Sequence, residues 1–94
     1  MSGGYFDYQQ WRIGEIADEI ENVIKNNDSR ELNEWGDVKG RGYPDDIINS
    51  FREAVRYLRI AAVYAQRIDW LLSDDDGEES FRKRLKEDLA EVEK

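Results

Sequence analysis

Residues 44–72 read PDDIINSFREAVRYLRIAAVYAQRIDWLL, and this stretch decides the fold. Proline belongs in the first turn of a helix, where its missing N–H is not needed, and the carboxylates of Asp45 and Asp46 suit the positive end of the helix dipole. Downstream, Ile47, Phe51, Ala54, Leu58, Ala61, Ala65, Ile68 and Leu72 recur at three- and four-residue intervals, which draws one apolar arc along a helix of 45–72. The alanines in that arc leave room for a second helix to approach closely, so the arc is expected to be the core face.

On the N-terminal side, Ile13, Ile16, Ala17, Ile20, Val23 and Ile24 repeat the same spacing and predict a helix over about 8–26, closed by the turn-prone Asn26-Asn27-Asp28. Residues 28–44 hold Gly36, Gly40, Gly42 and the single proline, Pro44, and read as a loop, with a short helical turn at Ser29 to Trp35 carrying Leu32 and Trp35 inward. On the other side, Ser73 to Glu79 interrupts the pattern. A third helix follows over about 78–93, with a narrow stripe of Phe81, Leu85, Leu89 and Val92 that suits docking on the hairpin or on another subunit. The expectation is an all-α chain: an antiparallel helical hairpin (about 8–26 and 45–72) plus a C-terminal helix (about 78–93), within one domain of 1–94. A domain of this size buries only about 60–65% of the surface its unfolded chain exposes, so assembly as a homo-oligomer is expected.

Composition excludes whole classes of function. The chain has no cysteine and no histidine, which removes disulfides, thiolate metal sites and the side chain best suited to acid–base work near neutral pH. An enzyme is not expected, and neither a metal nor a cofactor is called for. The net charge of −8 argues against general attraction to nucleic acid or to anionic membranes. Neither a secretion signal nor an apolar run of membrane-spanning length is visible, so a cytoplasmic location is expected.

Within this acidic chain, residues 45–72 carry 4 basic and 4 acidic side chains and are the least acidic segment. Arg52, Arg56, Arg59 and Arg67 fall within about 80° of one another on a helical wheel, with Gln66 and Trp70 on the same face. One reading is an anion site, since guanidinium groups bind phosphate through paired hydrogen bonds. The other is that they pair with the acidic first helix or with the flanking Glu53 and Asp69, or face water. On the first helix, Tyr8, Trp11, Glu15, Asp18, Asn22 and Lys25 form a line opposite the isoleucine stripe. Its aromatics suit a subunit contact or stacking on a base, or else they fold beneath the N-terminal segment or the third helix. The candidate ligand-binding set is therefore Tyr8, Trp11, Asn22, Lys25, Arg52, Arg56, Arg59 and Arg67.

Three further patterns are weaker. Lys39-Gly40-Arg41-Gly42 has the makings of a phosphate-binding nest, but no strand precedes it and no Gly-Lys-Ser/Thr follows, so a solvated turn is favoured. Asp74-Asp75-Asp76-Gly77 does not fit a calcium loop, because aligning Gly77 with the sixth position puts Leu72 first and Lys83 twelfth. Glu15, Asp18 and Glu19 invite comparison with all-α nucleotide pyrophosphohydrolases of the MazG type. The second helix supplies only Glu53 and Asp69, too far apart to complete that site.

The segments Ser2-Gly3-Gly4-Tyr5-Phe6-Asp7-Tyr8-Gln9-Gln10, Ile16 to Glu21, Tyr64 to Leu72 and Asp75 to Phe81 together resemble a group of short proteins of phages, prophages and other mobile elements. The resemblance spans nearly the whole chain and implies a setting rather than a chemistry. Within that setting, the architecture is similar to the phage sponges that sequester nucleotide second messengers of antiphage immunity. It implies a non-catalytic homo-oligomer that binds an anionic, nucleotide-like small molecule such as a cyclic nucleotide or an ADP-ribose derivative. The alternative is an acidic protein-directed inhibitor or adaptor, a nucleic-acid mimic or partner-binding module that docks on a host protein.

Overall fold

The computed structural model describes residues 4–32, 34–36 and 40–93. Its helices are α1 (Trp11–Lys25), α2 (Asp45–Leu72) and α3 (Glu78–Val92). The expected bounds of α2 and α3 hold to within a residue, because their starts carry strong local signals: Pro44 and Gly77 are extended, and Asp45, Asp46, Glu78 and Glu79 occupy the first turns. α1 begins three residues later than the periodicity predicts. Asp7 and Tyr8 have φ of 53° and 64°, a left-handed conformation that cannot propagate a right-handed helix. The chain from Phe6 to Arg12 instead winds through i to i+3 bonds, with Gln9 N–H donating to the Phe6 carbonyl and Trp11 N–H to the Tyr8 carbonyl.

That N-terminal turn is fastened to α2. The buried carboxylate of Asp69 accepts the Phe6 N–H at 2.8 Å, and Gln10 Nε2 donates to Gln66 Oε1 at 3.0 Å. Gly4 passes so close that a Cβ there would stand 2.7 Å from a carboxylate oxygen of Asp69. Asp69 and Gln66, read from sequence as neighbours of the arginines, are thus occupied with the N-terminal segment.

The α1–α2 connection is fixed by Asn27. Its Nδ2 donates to the Tyr43 carbonyl at 3.0 Å and its Oδ1 accepts the Tyr43 N–H at 2.9 Å, so one buried amide satisfies both main-chain groups of a residue 16 positions away. Leu32 and Trp35 point outward, 61% and 78% exposed, contrary to the inward turn expected from their apolar character.

α2 is the middle of the molecule: α1 packs on one side of it, α3 on another, and α1 and α3 share no packing contact. The extents of 51 × 29 × 14 Å describe a layer one helix thick. Among the described residues only Ala17 and Ile48 are buried apolar residues, and no large side chain is fully buried. A chain of this length folded to ordinary compactness has a radius of gyration of about 12 Å; here it is 17.2 Å.

The arc of α2 expected to be core is therefore only partly covered. α1 docks on the neighbouring sector, marked by the buried Ile48 and by the polar contacts of Arg59, Gln66 and Asp69, while Ile47 and Leu72 remain 37% and 47% exposed and Ala61 is exposed. The α3 stripe of Phe81, Leu85, Leu89 and Val92 is half-buried. Of its two expected docking partners, the hairpin is the one it packs on.

Candidate functional site

The arginine stripe is largely consumed by internal ion pairs. Arg59 Nη2 lies 2.6 Å from Asp18 Oδ1 and 3.1 Å from Glu21 Oε1 on α1, and Arg59 Nη1 also donates to the Gly14 carbonyl. Its guanidinium is held protonated more firmly than usual, chiefly by the hydrogen bond to Asp18. Arg56 pairs with Glu93 at 3.2 Å, and that bond likewise raises its pKa. Arg67 is the most buried of the four: its Nε donates to Asp88 Oδ2 at 2.6 Å, its guanidinium carbon lies 4.6 Å from the Trp70 ring centroid, and its Nη1 has no partner. These three side chains tie α2 to α1 and α3. The expected pairing with the first helix describes Arg59, and that with Glu53 a 3.7 Å contact of Arg56; the shorter bond of Arg56 to Glu93 and the bond of Arg67 to Asp88 are to acids in or just after α3, and Asp69 pairs with none of them.

Arg52 stands apart. Its only hydrogen bond is from Nη1 to Asn49 Oδ1 at 2.9 Å, and among the described residues no carboxylate pairs with it. It lines a groove of ≈ 440 Å³ between α1 and α2 together with Asn22, Lys25, Glu21, Ile24 and Val55. Lys25 makes no ion pair among the described residues. Nor does it serve as a helix cap: the Asn22 carbonyl already accepts both the backbone N–H and the Nδ2 of Asn26, and the Ile24 carbonyl accepts the Asn27 N–H. The charge of Glu21 is met by Arg59 across the groove wall. Two uncommitted cations and one amide thus converge on a cleft of the size that takes a nucleotide-sized ligand.

Of the eight sequence candidates, Asn22, Lys25 and Arg52 share this groove, and Arg52 also lines an adjoining cleft of ≈ 450 Å³ with the ion-paired Arg56 and Arg59, while Tyr8, Trp11 and Arg67 lie apart from both. Trp11 and Tyr8 are 57% and 58% exposed, uncovered by the N-terminal segment or by α3. At 1.5 Å per residue, Trp11 lies about 20 Å along α1 from Lys25, out of stacking range of anything in that groove. The expected nest at 39–42 falls partly outside the described residues at Lys39. Two of its described amides are spoken for, since Gly40 N–H donates to the Ser29 carbonyl and Gly42 N–H to the Asn27 carbonyl. A feature the sequence did not disclose is a second cleft of ≈ 430 Å³ on the opposite side of the layer, lined by Ile20, Val23, Arg41, Tyr43, Phe51 and Ala54. Phe51 and Tyr43 meet there edge to face at 5.7 Å, a contact that depends on how the loop returns and leaves no trace in helical periodicity.

No described group of three or more acidic side chains is placed to hold a metal ion, and no helix is long and apolar enough to cross a membrane. Comparison with protein-family models, with curated proteins and with solved structures finds no match to this chain.

Proposed function

We propose that the chain is a non-catalytic binding protein for a small anionic, nucleotide-like ligand, acting as a phage-type sponge, with Asn22, Lys25 and Arg52 as the residues that hold it. The observation that carries this reading is the convergence of two cations without carboxylate partners in one groove of a protein whose net charge is −8. Cations left open in an acidic chain are stabilised when an anion arrives between them, and Asn22 adds a donor and an acceptor to select among anions. The site is narrower than the whole arginine stripe. Arg56 and Arg59 shape its surroundings, Arg67 stands about 22 Å further along α2, and the ligand is left to Arg52 and Lys25. The absence of histidine and cysteine from the sequence favours capture over turnover.

Titration calorimetry against cyclic mono- and dinucleotides and ADP-ribose derivatives tests the proposal. Binding is expected for at least one of them, and Lys25→Ala with Arg52→Ala should weaken it by about 10- to 100-fold, the scale of one or two charged hydrogen bonds. Silence across the panel, or an affinity unmoved by the double substitution, ends the reading.

A second reading, a protein-directed inhibitor or adaptor, is favoured by Trp11 and Trp35, which leave most of two indole rings in water. Exposed tryptophan is the residue type most enriched at binding hot spots. A stoichiometric basic partner recovered from host lysate, released by modest salt, would select this reading.

A further inference from the structure

The charged groove and the open side of the molecule lie on opposite faces of the layer. On a wheel of 100° per residue, Arg52 stands about 180° from Ala61, and the sector around Ala61 holds Ile47, Ser50, Ala54, Tyr57, Tyr64, Ala65, Ile68 and Leu72. Apart from Asp46 at its edge in the first turn of α2, this sector holds no charged residue, in a chain of which 38% is charged. Tyr57, Tyr64 and Leu72 are 61%, 43% and 47% exposed, and Ile16 of α1 adds an apolar residue 47% exposed. Ile47, Ala54, Ala61 and Ile68 are spaced by seven, as are Phe51, Leu58, Ala65 and Leu72. That double register is the pattern of a helix that packs along its length on another helix, and α1 covers only its edge.

We propose that this face is covered by a second copy of the chain, with the two α2 helices packed antiparallel about a two-fold axis beside Ala61. Two arguments select a copy of the same chain. The first is area: a monomer of 11.1 kDa is expected to expose about 5,700 Å². This chain exposes 7254 Å². The excess of about 1,600 Å² is more than the roughly 800 Å² that each partner of a stable dimer loses. The second is shape. With the axis at Ala61, Ala54 of one protomer faces Ile68 of its partner, Ala65 faces Tyr57, and Leu58 faces Tyr64, so nearly every small residue meets a large one. A parallel pairing would instead set Ala54 against Ala54 and Ala65 against Ala65, leaving voids along the seam. The inference does not rest on the ligand reading, since the groove at Arg52 stays open in such a dimer.

Because Ala61 is exposed in the single subunit, substituting it tests the contact without disturbing the fold. Sedimentation equilibrium at about 100 μM should give twice the chain mass or a higher even multiple, and Ala61→Glu should weaken association at least about 100-fold while helicity by circular dichroism is unchanged. The chain has no cysteine of its own, so an introduced one is the sole thiol. Ala61→Cys should form an intermolecular disulfide on mild oxidation, whereas Ala54→Cys should not, its two copies lying about 20 Å apart along the seam. A monomer at that concentration, association indifferent to Ala61→Glu, or equal cross-linking through position 54 would overturn the proposal. Ligand binding retained by the Ala61→Glu protein would show that this surface and the groove act separately.

Discussion

Asn27 shows how much one side chain can hold in a molecule with so little core. Its amide closes both main-chain groups of Tyr43 and is itself buried, so its removal strands a donor and an acceptor where water has poor access. Asn27→Ala is expected to cost about 1–3 kcal/mol in urea unfolding, and Asn27→Asp, which keeps the acceptor and loses the donor, should fall between the two. A substitution without measurable effect would mean that the loop is held elsewhere. Gly40 depends on the same junction: a Cβ there would stand 2.6 Å from the Asn27 carbonyl oxygen, a close approach that only glycine permits. Neither role is visible in sequence, where Asn27 reads as a helix terminator and Gly40 as part of a nest. Hydrogen bonds to residues far along the chain are decided by the path of the loop, and local composition does not record that path.

At the scale of elements, legibility followed the strength of local signals. Pro44-Asp45-Asp46 and the break after Leu72 define α2 without help from tertiary structure. The first helix was misjudged at its start because a hydrophobic period cannot see that Asp7 and Tyr8 turn left-handed. The arc of α2 is legible as a stripe and only in part as a core, since periodicity reports that a face is apolar and not what lies on it. Arg52, Arg56, Arg59 and Arg67 were legible as one basic stripe. Arg59 meets Asp18 across 41 residues and Arg67 meets Asp88 across 21, pairings set by the relative register of packed helices. The Arg67 pair carries the attachment of α3, whose own apolar stripe is narrow. Asp88→Asn should loosen that helix, costing about 1–3 kcal/mol and raising amide exchange across α3 while α1 keeps its protection. If exchange rose equally in all three helices, the pair would be acting on the whole fold rather than on one docking event.

For the molecule as a whole, thinness is the governing property. A slab 14 Å deep places every helix in contact with solvent on two sides, so burial is shared out as half-covered residues rather than concentrated in an interior. Polar clamps carry a larger share of the specificity than they do in thicker domains: Asp69 on the N-terminal turn, Asn27 on the loop, Arg59 on α1 and Arg67 on α3. The same thinness leaves both broad faces available, one charged and one apolar, so the proposed ligand groove and the proposed subunit contact would not compete.

Among the described helices, α2 is the only one that packs on α1 or on α3. Damage on one flank therefore has no direct path to the other, and the thermodynamic bookkeeping of the two should separate. In a double-mutant cycle the costs of Asn27→Ala and Asp88→Asn are expected to sum to within about 0.5 kcal/mol. A coupling well beyond that would reveal a wire running through the middle helix, and each flank would then be reporting on the other.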